Sequence, residues 1–439
     1  MKWGILRLAG MSIRLSLVCV LVISVPAMLL ASAPFTASAE SWRYFKAAPA
    51  FATSEGATGV AVDASKNLVY AANRDAGSVT VFNGETGKPI GAPIAVGSSP
   101  WAIAVNSTTH KAYVTDSANG NVYVISGDTL GLIAVVGAAT KAYGLTVDEV
   151  HNRVYVLGLV RAGEAGTEEV VAVALDGSLD VFSDSRQLDS APALDGGAGL
   201  AVDTRHDRLF AVLPKFGRVV ILRASSLTPV ANATVPRGSR NVATNSVLGL
   251  AYVSNVREHS VTAIDGDGWF RNVIKNVSAA PSAVCVDEAT NSVFVTDSQG
   301  ISFSVIDSLL HTLVGAPVEV GRHPSSIAFD RVRSVLWVAN PEDHTLIRVA
   351  ELSTPDIFLV DPPVGRLAAP YFFEFRALGS PAPTFTLTSG VLPRGLMLDA
   401  TSGILSGNAV EIGTFSFTVS ARNLTGIKSE GRFSITVTR

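Results

Sequence analysis

Short apolar segments that carry one aromatic residue and end in Asn or Asp recur along the chain. The clearest copies are LVYAAN (68–73), KAYVTD (111–116), LAYVSN (250–255) and SVLWVAN (334–340). Ahead of each segment an apolar strand ends in an Asp or Asn, here called the anchor. Successive anchors are 43, 42, 55, 42, 42 and 43 residues apart: Asp63, Asn106, Asp148, Asp203, Asn245, Asp287 and Asp330. The pattern predicts seven repeats over residues 54–352.

Two further positions keep a fixed distance from the anchors. The first of these positions comes four residues after the anchor. Six of its seven residues are of types that tolerate a left-handed backbone or bond to their own turn. The seven are Asn67, His110, Asn152, Asp207, Gly249, Asn291 and Ser334. Seven residues after every anchor stands an aromatic residue: Tyr70, Tyr113, Tyr155, Phe210, Tyr252, Phe294 and Trp337. Each repeat is predicted to hold a strand, a tight turn and a second strand, with a third and fourth strand behind them.

Four short strands in a period of about 40–45 residues are typical of a β-propeller blade. The predicted fold class is all-β, with a closed seven-bladed β-propeller followed by a small Ig-like β-sandwich. The last repeat holds three strands before Pro355, so SWRYFKAAPAF (41–51) is predicted to supply the outer strand of blade seven. The longer third repeat is predicted to carry a long strand-joining loop at LVRAGEAGTEEVV (159–171).

The repeats resemble the YVTN family of propeller repeats, named after a Tyr-Val-Thr-Asn stretch. The closest copies here are YVTD (113–116), YVSN (252–255) and FVTD (294–297), and the resemblance covers roughly residues 54–352. Blade four departs most, because LFAVLPKFG (209–217) lacks the terminal Asn. The resemblance implies a secreted or surface-associated bacterial propeller. It implies little chemistry, because members of the family mostly have no assigned function.

A Pro-rich segment, STPDIFLVDPPVGRLAAP (353–370), predicts a domain boundary. Beyond it, alternating segments such as YFFEF (371–375) and TFSFTVSA (414–421) predict a small β-sandwich. The runs LPRGL (392–396) and TSGILSG (401–407) resemble the He-PIG family of bacterial Ig-like domains, although Asn408-Ala409 replaces the family's usual Thr-Pro. This resemblance implies a spacer or adhesive module.

The first residues are predicted to be a signal peptide. Basic residues precede the apolar run LSLVCVLVISVPAMLLASA (15–33), and ASA (37–39) offers a cleavage site. The alternative is an uncleaved membrane anchor. The predicted domains are therefore a signal peptide (1–39), the propeller (40–353) and the Ig-like domain (354–439). Cleavage leaves Cys285 as the one cysteine, which excludes an internal disulfide and is predicted to lie buried in a strand.

Charge and motifs exclude several classes of function. The formal net charge is −3, so the chain has no basic footprint for nucleic acid. The sequence contains no nucleophile elbow, zinc motif or glycine-rich phosphate loop. It therefore predicts no cofactor, no nucleic-acid partner and no membrane contact beyond the signal segment. The expected protein is a monomer that is secreted or held in the cell envelope, the periplasm included.

Positions five and seven before each anchor are predicted to surround one mouth of the central channel, the usual ligand site of a propeller. The candidate ligand-binding residues are Trp101, Lys141, Tyr143, Arg240 and His323. Aromatic rings beside hydrogen-bonding groups suit a sugar or another planar ligand, and the cations suit a carboxylate. The alternative is that the two aromatic residues simply fill the core of the ring.

A metal site is a further hypothesis, and no catalytic residue is predicted. His323, Asp343 and His344 on blade seven are its candidate ligands, because His and carboxylate groups bind metals. The competing interpretation of NPEDH (340–344) is a polar turn.

The function predicted from these features is that of an exported, non-catalytic binding or adhesion protein. The propeller would present a surface to an extracellular ligand, such as a polysaccharide or a surface protein. The Ig-like domain would act as a spacer or attach the chain to the envelope or matrix. The alternative is a lactonase-like hydrolase or metal-dependent enzyme that uses the channel mouth. A purely structural role in a surface layer is the third hypothesis.

Overall fold

The structure, a computed structural model, describes residues 43–162, 167–189, 198–380, 382–423 and 428–439. The predicted signal peptide lies outside these residues. Most of the described chain is strand, with two short 3-10 helices at Pro214–Phe216 and Val256–Glu258. In the described ranges, no helix combines the length and hydropathy of a membrane span.

Two short strands, β1 (Arg43–Ala47) and β2 (Phe51–Ala52), precede the repeats. The first three repeats each form a four-stranded antiparallel sheet. Blade one contains β3 (Ala57–Asp63), β4 (Leu68–Asn73), β5 (Ser78–Asn83) and β6 (Ile94–Ala95). Blade two contains β7 (Pro100–Asn106), β8 (Lys111–Asp116), β9 (Asn121–Ser126) and β10 (Gly131–Gly137). Blade three contains β11 (Lys141–Asp148), β12 (Arg153–Ala162), β13 (Thr167–Asp176) and β14 (Val181–Asp189).

The next three repeats form sheets of the same kind, and the outer strand of blade six comes in two pieces. Blade four contains β15 (Leu200–Asp203), β16 (Arg208–Leu213), β17 (Arg218–Arg223) and β18 (Pro229–Thr234). Blade five contains β19 (Ser239–Asn245), β20 (Leu250–Asn255), β21 (Ser260–Asp265) and β22 (Arg271–Ile274). Blade six contains β23 (Pro281–Asp287), β24 (Ser292–Asp297), β25 (Ser302–Asp307), β26 (Thr312–Leu313) and β27 (Val318–Glu319).

Blade seven combines the two ends of the repeat region. Its three inner strands are β28 (Ser326–Asp330), β29 (Val335–Asn340) and β30 (Thr345–Ile357). The outer strand is β1, which pairs antiparallel with β30 from Arg43 opposite Ser353 to Ala47 opposite Val349. A strand that precedes blade one in the sequence therefore completes blade seven, which joins the two ends of the ring.

The seven sheets form a closed ring around one axis. The innermost strands lie side by side in chain order, and the last of them contacts the first: β3, β7, β11, β15, β19, β23 and β28. At the closure, the backbone N–H of Val60 donates to Ser326 Oγ at 3.1 Å. Clusters of buried apolar side chains fill the spaces between neighbouring sheets. The ring is thus held by blade-to-blade packing, because each sheet buries both faces.

The anchor and the residue four positions later build the turn between the first two strands. In blade two, Asn106 Oδ1 accepts the backbone N–H groups of Thr108 and Thr109 at 3.0 and 3.1 Å. The residues four after the seven anchors all have φ between 51° and 66°. This left-handed region favours Gly, Asn and Asp, which explains why those residue types recur there.

The aromatic residue of each repeat joins its blade to the next one. All seven aromatic side chains are buried. Three tyrosine hydroxyls reach the turn between the third and fourth strands of the following blade, where Tyr155 bonds to Ala224 O at 2.9 Å and Tyr252 to Ser308 O at 3.0 Å. The recurring aromatic residue therefore supplies both apolar burial and a bond between blades.

A matched pair of substitutions separates these two contributions. Burial raises the pKa of Tyr252 to about 12, so its hydroxyl stays protonated and donates to Ser308 O. The Tyr70 hydroxyl is equally buried but has no hydrogen-bond partner among the described residues. We expect Tyr252→Phe to lower the free energy of unfolding by about 1 kcal/mol and Tyr70→Phe to leave it unchanged or higher. Urea denaturation measures both free energies of unfolding. Equal losses in the two variants would contradict a stabilising hydrogen bond between blades from the Tyr252 hydroxyl.

The extra residues of the third repeat differ from the prediction. Most of the predicted loop at 159–171 belongs to β12 and β13, which pair without a shift from Arg153 opposite Asp176 to Ala162 opposite Thr167. The prediction of a long loop was therefore wrong, and residues 163–166 of it lie outside the described residues. The segment favours strand because Val and Leu continue the apolar pattern, and Arg161 stands opposite Glu168 across the hairpin.

The C-terminal region is a β-sandwich of two sheets. Its strands are β31 (Gly365–Arg366), β32 (Pro370–Glu374), β33 (Ala377–Ser380), β34 (Thr384–Gly390), β35 (Leu396–Leu398), β36 (Ile404–Asn408), β37 (Gly413–Arg422) and β38 (Lys428–Thr438). One sheet has the order β31-β38-β37-β34 and the other the order β32-β36-β35. Phe375, Phe417 and Phe433 lie in the core between them.

The predicted boundary at 353/354 falls inside one continuous strand. β30 runs on to Ile357 and pairs with β33 of the sandwich, with Asp356 opposite Leu378 and Ile357 opposite Ala377. The Ile357 side chain is buried in the sandwich core. Pro355 sits where the register shifts between Ser353 and Asp356, a place where its missing N–H breaks no ladder bond. The Pro-rich segment is thus no loose linker, since the propeller and the sandwich share a strand.

Candidate functional site

The innermost strands are irregular at one end of the channel. In five blades, the pairing with the second strand shifts register close to the position five before the anchor: between Ala57 and Gly59, Pro100 and Ile103, Ala142 and Gly144, Ser239 and Val242, and Pro281 and Val284. Such bulges change the direction in which a side chain points. At this end of the channel, the backbone of the innermost strands therefore departs from regular antiparallel pairing.

The hydroxyl of the last residue in the YVT and YVS segments holds the bulges of blades two and five. Thr115 Oγ1 accepts the N–H of Ala102 at 3.1 Å and lies 3.3 Å from Tyr143 O on the next blade. Ser254 Oγ accepts the N–H of Asn241 at 3.0 Å and donates to Ser282 O on the next blade at 2.5 Å. The motif hydroxyl thus satisfies a backbone group freed by the bulge and links two neighbouring residues of the channel end.

A cavity of about 370 Å³, here called the upper cavity, opens at this end. All seven residues that stand five positions before the anchors line it: Thr58, Trp101, Tyr143, Ala198, Arg240, Ser282 and Ser325. Seven branched aliphatic residues, here called the aliphatic ring, also line it: Val60, Ile103, Leu145, Leu200, Val242, Val284 and Ile327. The site therefore has a mostly polar and aromatic rim and an apolar lower wall.

Two aromatic side chains form one corner of the upper cavity. The Trp101 and Tyr143 rings meet edge to face, with centroids 6.0 Å apart, and both are half-buried. The guanidinium of Arg74 lies over the Trp101 ring, 4.8 Å from its centroid, and Arg74 Nε bonds to Ser99 Oγ at 3.3 Å. Arg74 was not among the site residues predicted from the sequence. Its signal is its place directly after Asn73, in a loop that shares this face of the propeller.

Arg240 faces the same cavity from blade five. Its side chain is exposed, and in the described part of the chain no hydrogen bond or ion pair engages its guanidinium. Among the described residues that line the upper cavity, Arg240 is the one charged residue, and none is an Asp or a Glu. Within this described lining, the Arg240 cation has no counter-charge.

Lys141 and His323 do not line the upper cavity, although both were candidates. Lys141 Nζ bonds to Glu168 Oε1 at 3.0 Å, and this contact raises the pKa of the ammonium group. His323 Nδ1 lies 2.5 Å from Glu342 Oε1. Lys141 lies beyond the bulge of blade three, so it no longer shares a face with Tyr143. His323 lies in the loop before β28, where its backbone is left-handed with φ of 50°.

The candidate metal ligands each face a different partner. His323 contacts Glu342, while Asp343 accepts the backbone N–H and Nε of Arg322 at 2.8 and 2.7 Å, which lowers the pKa of the carboxyl. His344 Nδ1 lies 3.4 Å from the N–H of Gly56 on blade one. Among the described residues, no group of three or more His, Cys, Asp or Glu side chains could hold a metal ion. The geometry agrees with the polar-turn interpretation.

A second cavity of about 720 Å³, here called the lower cavity, opens at the opposite end of the channel. Leu200, Val242 and Val284 of the aliphatic ring line both cavities. Cys285 is half-buried, where full burial was expected, because it lines the lower cavity as well as packing against the apolar cluster between blades six and seven. Burial raises the pKa of its thiol, which disfavours the reactive thiolate.

Comparisons with known proteins cover the two parts of the chain separately. Residues 366–438 match the family He_PIG, described as "Putative Ig domain". The Kuenenia stuttgartiensis hydrazine synthase is similar in structure, with a TM-score of 0.57 and 15% identity over 68% of this chain and 96% of that chain. At this identity the similarity concerns the fold alone. No curated protein matches the chain. The resemblance of the repeats to the YVTN family stays a prediction. The chain is an all-β protein in which a β-propeller is followed by an Ig-like domain.

Proposed function

We propose that the protein is an exported, non-catalytic binding protein whose upper cavity takes a saccharide or another small planar ligand. The observation that carries the proposal is the convergence of seven equivalent positions on one cavity with an aromatic corner and an unpaired guanidinium. Aromatic rings pack against the apolar faces of sugar rings, and the hydroxyl groups of Thr58, Ser282 and Ser325 suit sugar hydroxyls.

The same lining argues against catalysis. Acid–base catalysis needs a titratable group within reach of the reacting atoms, with a pKa suited to its task. Among the described residues that line the upper cavity, Tyr143 is the one residue of the types that commonly transfer protons, and no His, Asp, Glu, Lys or Cys is present. The metal-dependent alternative has no cluster of ligands among the described residues. Binding therefore fits the lining better than hydrolysis.

The Ig-like domain is proposed to space the propeller from, or attach it to, the cell envelope or matrix. Ig-like domains are typical of extracellular and surface proteins. Here the domain continues the sheet of blade seven through β30 and β33, and the N–H of Ile357 donates to Ser429 Oγ at 3.1 Å. A domain joined in this way sets the direction in which the upper cavity faces, which suits presentation of a binding site.

Trp101→Ala tests the proposed site. We expect the chain from Glu40 onward to co-sediment with insoluble polysaccharide fractions of bacterial envelopes, and Trp101→Ala to weaken this binding about tenfold or more, since stacking area is lost. Trp269→Ala is the matched control, because Trp269 is 89% exposed on a blade-five hairpin and does not line the cavity. Equal binding by both folded variants would place the binding surface elsewhere. A variant that loses only stability would assign Trp101 to the core.

A further inference from the structure

Resting on the proposed function, the geometry points to a specific class of ligand for the upper cavity: a saccharide with one carboxylate, which enters by its end. The carboxylate pairs with Arg240, and the sugar ring lies against Trp101 and Tyr143. A free sugar acid and the acidic terminal unit of a polysaccharide share this chemistry. An internal segment of a polysaccharide does not fit the site.

The charge inside the cavity favours an anionic ligand. Of the lining residues that the structure describes, Arg240 is the one charged side chain, and none is a carboxylate that would neutralise it. Arg74 adds a second cation behind the Trp101 ring. The chain as a whole carries a net charge of −3, so the positive charge of this site is opposite in sign to the net charge of the protein. A guanidinium presents paired N–H donors whose geometry matches the two oxygens of a carboxylate. As groups on a ligand, an ammonium or a neutral hydroxyl would match these donors less well than a carboxylate does.

The arrangement of the rim suits a single charged sugar unit. The aromatic corner belongs to blades two and three, while Arg240 belongs to blade five, so the two features face one another across the channel. Ser282, on the blade next to Arg240, contributes a side chain that is 9% exposed. One ring held against the corner can therefore direct a substituent towards the guanidinium. A single charged unit satisfies both features at once.

The cavity has an apolar floor. The seven residues of the aliphatic ring lie between the upper and lower cavities, and three of them line both. Six of the seven are buried, and Leu145 is half-buried. A hydrated sugar chain pays a large desolvation cost to pass through such a ring. A volume of about 370 Å³ is also near the lower end of the range for ligand pockets, about 300–1,000 Å³. Only a chain end can therefore occupy the site.

Isothermal titration calorimetry with two monosaccharides tests the charge. We expect the full chain to bind D-glucuronate about tenfold or more tightly than D-glucose at low salt, because a charge-assisted pair replaces a neutral contact. Arg240→Gln is expected to remove this difference, while Trp101→Ala weakens both ligands. Arg205→Gln is the matched control, because Arg205 is an exposed arginine that lines the lower cavity.

The outcomes separate the inference from the proposed function. Equal binding of both sugars, with binding still lost in Trp101→Ala, overturns the charge argument and leaves the proposed site in place. A preference for glucuronate that persists in Arg240→Gln but disappears in Arg205→Gln assigns the anion to the lower cavity and overturns the inference. If neither monosaccharide binds and Trp101→Ala still co-sediments with polysaccharide, both the inference and the proposed site fail.

A second comparison tests entry by the end and separates the two sources of the ligand. The probes are trigalacturonate, the same trisaccharide methyl-esterified only at its non-reducing terminal carboxylate, and the same trisaccharide esterified only at the middle unit. We expect terminal esterification to weaken binding about tenfold and middle esterification to change it little. If the trisaccharide binds more weakly than the free monosaccharide, the free sugar acid is the ligand. Equal sensitivity to both esters would overturn entry by the end.

Discussion

A chain that begins at Ala50, and so lacks β1, is expected to lose at least about 3–5 kcal/mol of unfolding free energy relative to a chain that begins at Glu40. The ladder between β1 and β30 is lost over the whole run from Arg43 to Ala47. The Phe45 ring is also lost. It packs edge to face against Phe294 and Phe303, with centroids 5.9 and 5.6 Å away.

The loss is expected to be large because β1 covers blade seven and joins the two ends of the ring. Without it, the edge of β30 is exposed between the part paired with β2 and the part paired with β33, and the apolar side chains beside Phe45 meet water. Guanidinium denaturation of the two chains measures the difference, and Phe45→Ala in the longer chain isolates the contribution of the ring. Coincident unfolding curves for the two chains would show that closure does not depend on β1.

Gly199→Ala is expected to lower stability by about 1–3 kcal/mol and to weaken ligand binding in the same variant. A Cβ at this position would lie 2.6 Å from Asn241 Cα and 2.8 Å from Arg240 O. Both atoms belong to the backbone of blade five, so they cannot turn aside as a side chain could. The methyl group must push apart the inner strands of blades four and five, which moves Arg240 on the rim.

Gly131→Ala is the matched control for this substitution. The nearest atom to a Cβ at Gly131 is Thr129 Oγ1 at 3.6 Å, an ordinary contact. Thermal unfolding and titration with D-glucuronate should show losses for Gly199→Ala and little change for Gly131→Ala. If Gly199→Ala unfolds and binds like the unchanged chain, the two inner strands are not packed as closely as the structure has them.

The blades could be predicted from the sequence because their determinants are local and repeated. Every anchor closes a turn within three residues of itself, as Asn106 does, and each aromatic residue meets the same neighbour in the next blade. Blade three departs from the pattern at Gly158, where a Cβ would lie 2.5 Å from Lys141 O. The departure is therefore forced by a close approach between neighbouring strands.

The candidate site could be predicted only in part. Trp101, Tyr143 and Arg240 line the upper cavity because they stand at the position where the inner strand leaves the regular ladder. Lys141 lies away from it, since the alternation of side chains fails across the bulge of blade three, and His323 lies away from it because it stands in a left-handed loop position before β28. Arg74 could not be found from spacing alone, because its cation–π contact depends on how the loops of two blades meet.

The sharing of β30 by the two domains has a mechanical consequence. Arg43, where the described chain begins, lies opposite Ser353, four residues before the end of β30 inside the sandwich core. Tension applied between the N-terminal segment and the Ig-like domain therefore acts on the same end of the β1–β30 ladder. Such a load opens backbone pairs one after another, as a zipper opens, and does not strain them all together in shear. A force between the upper cavity and the Ig-like domain does not load that end of the ladder. The ring is therefore expected to open under force applied through the N-terminal segment and to resist force applied through the upper cavity.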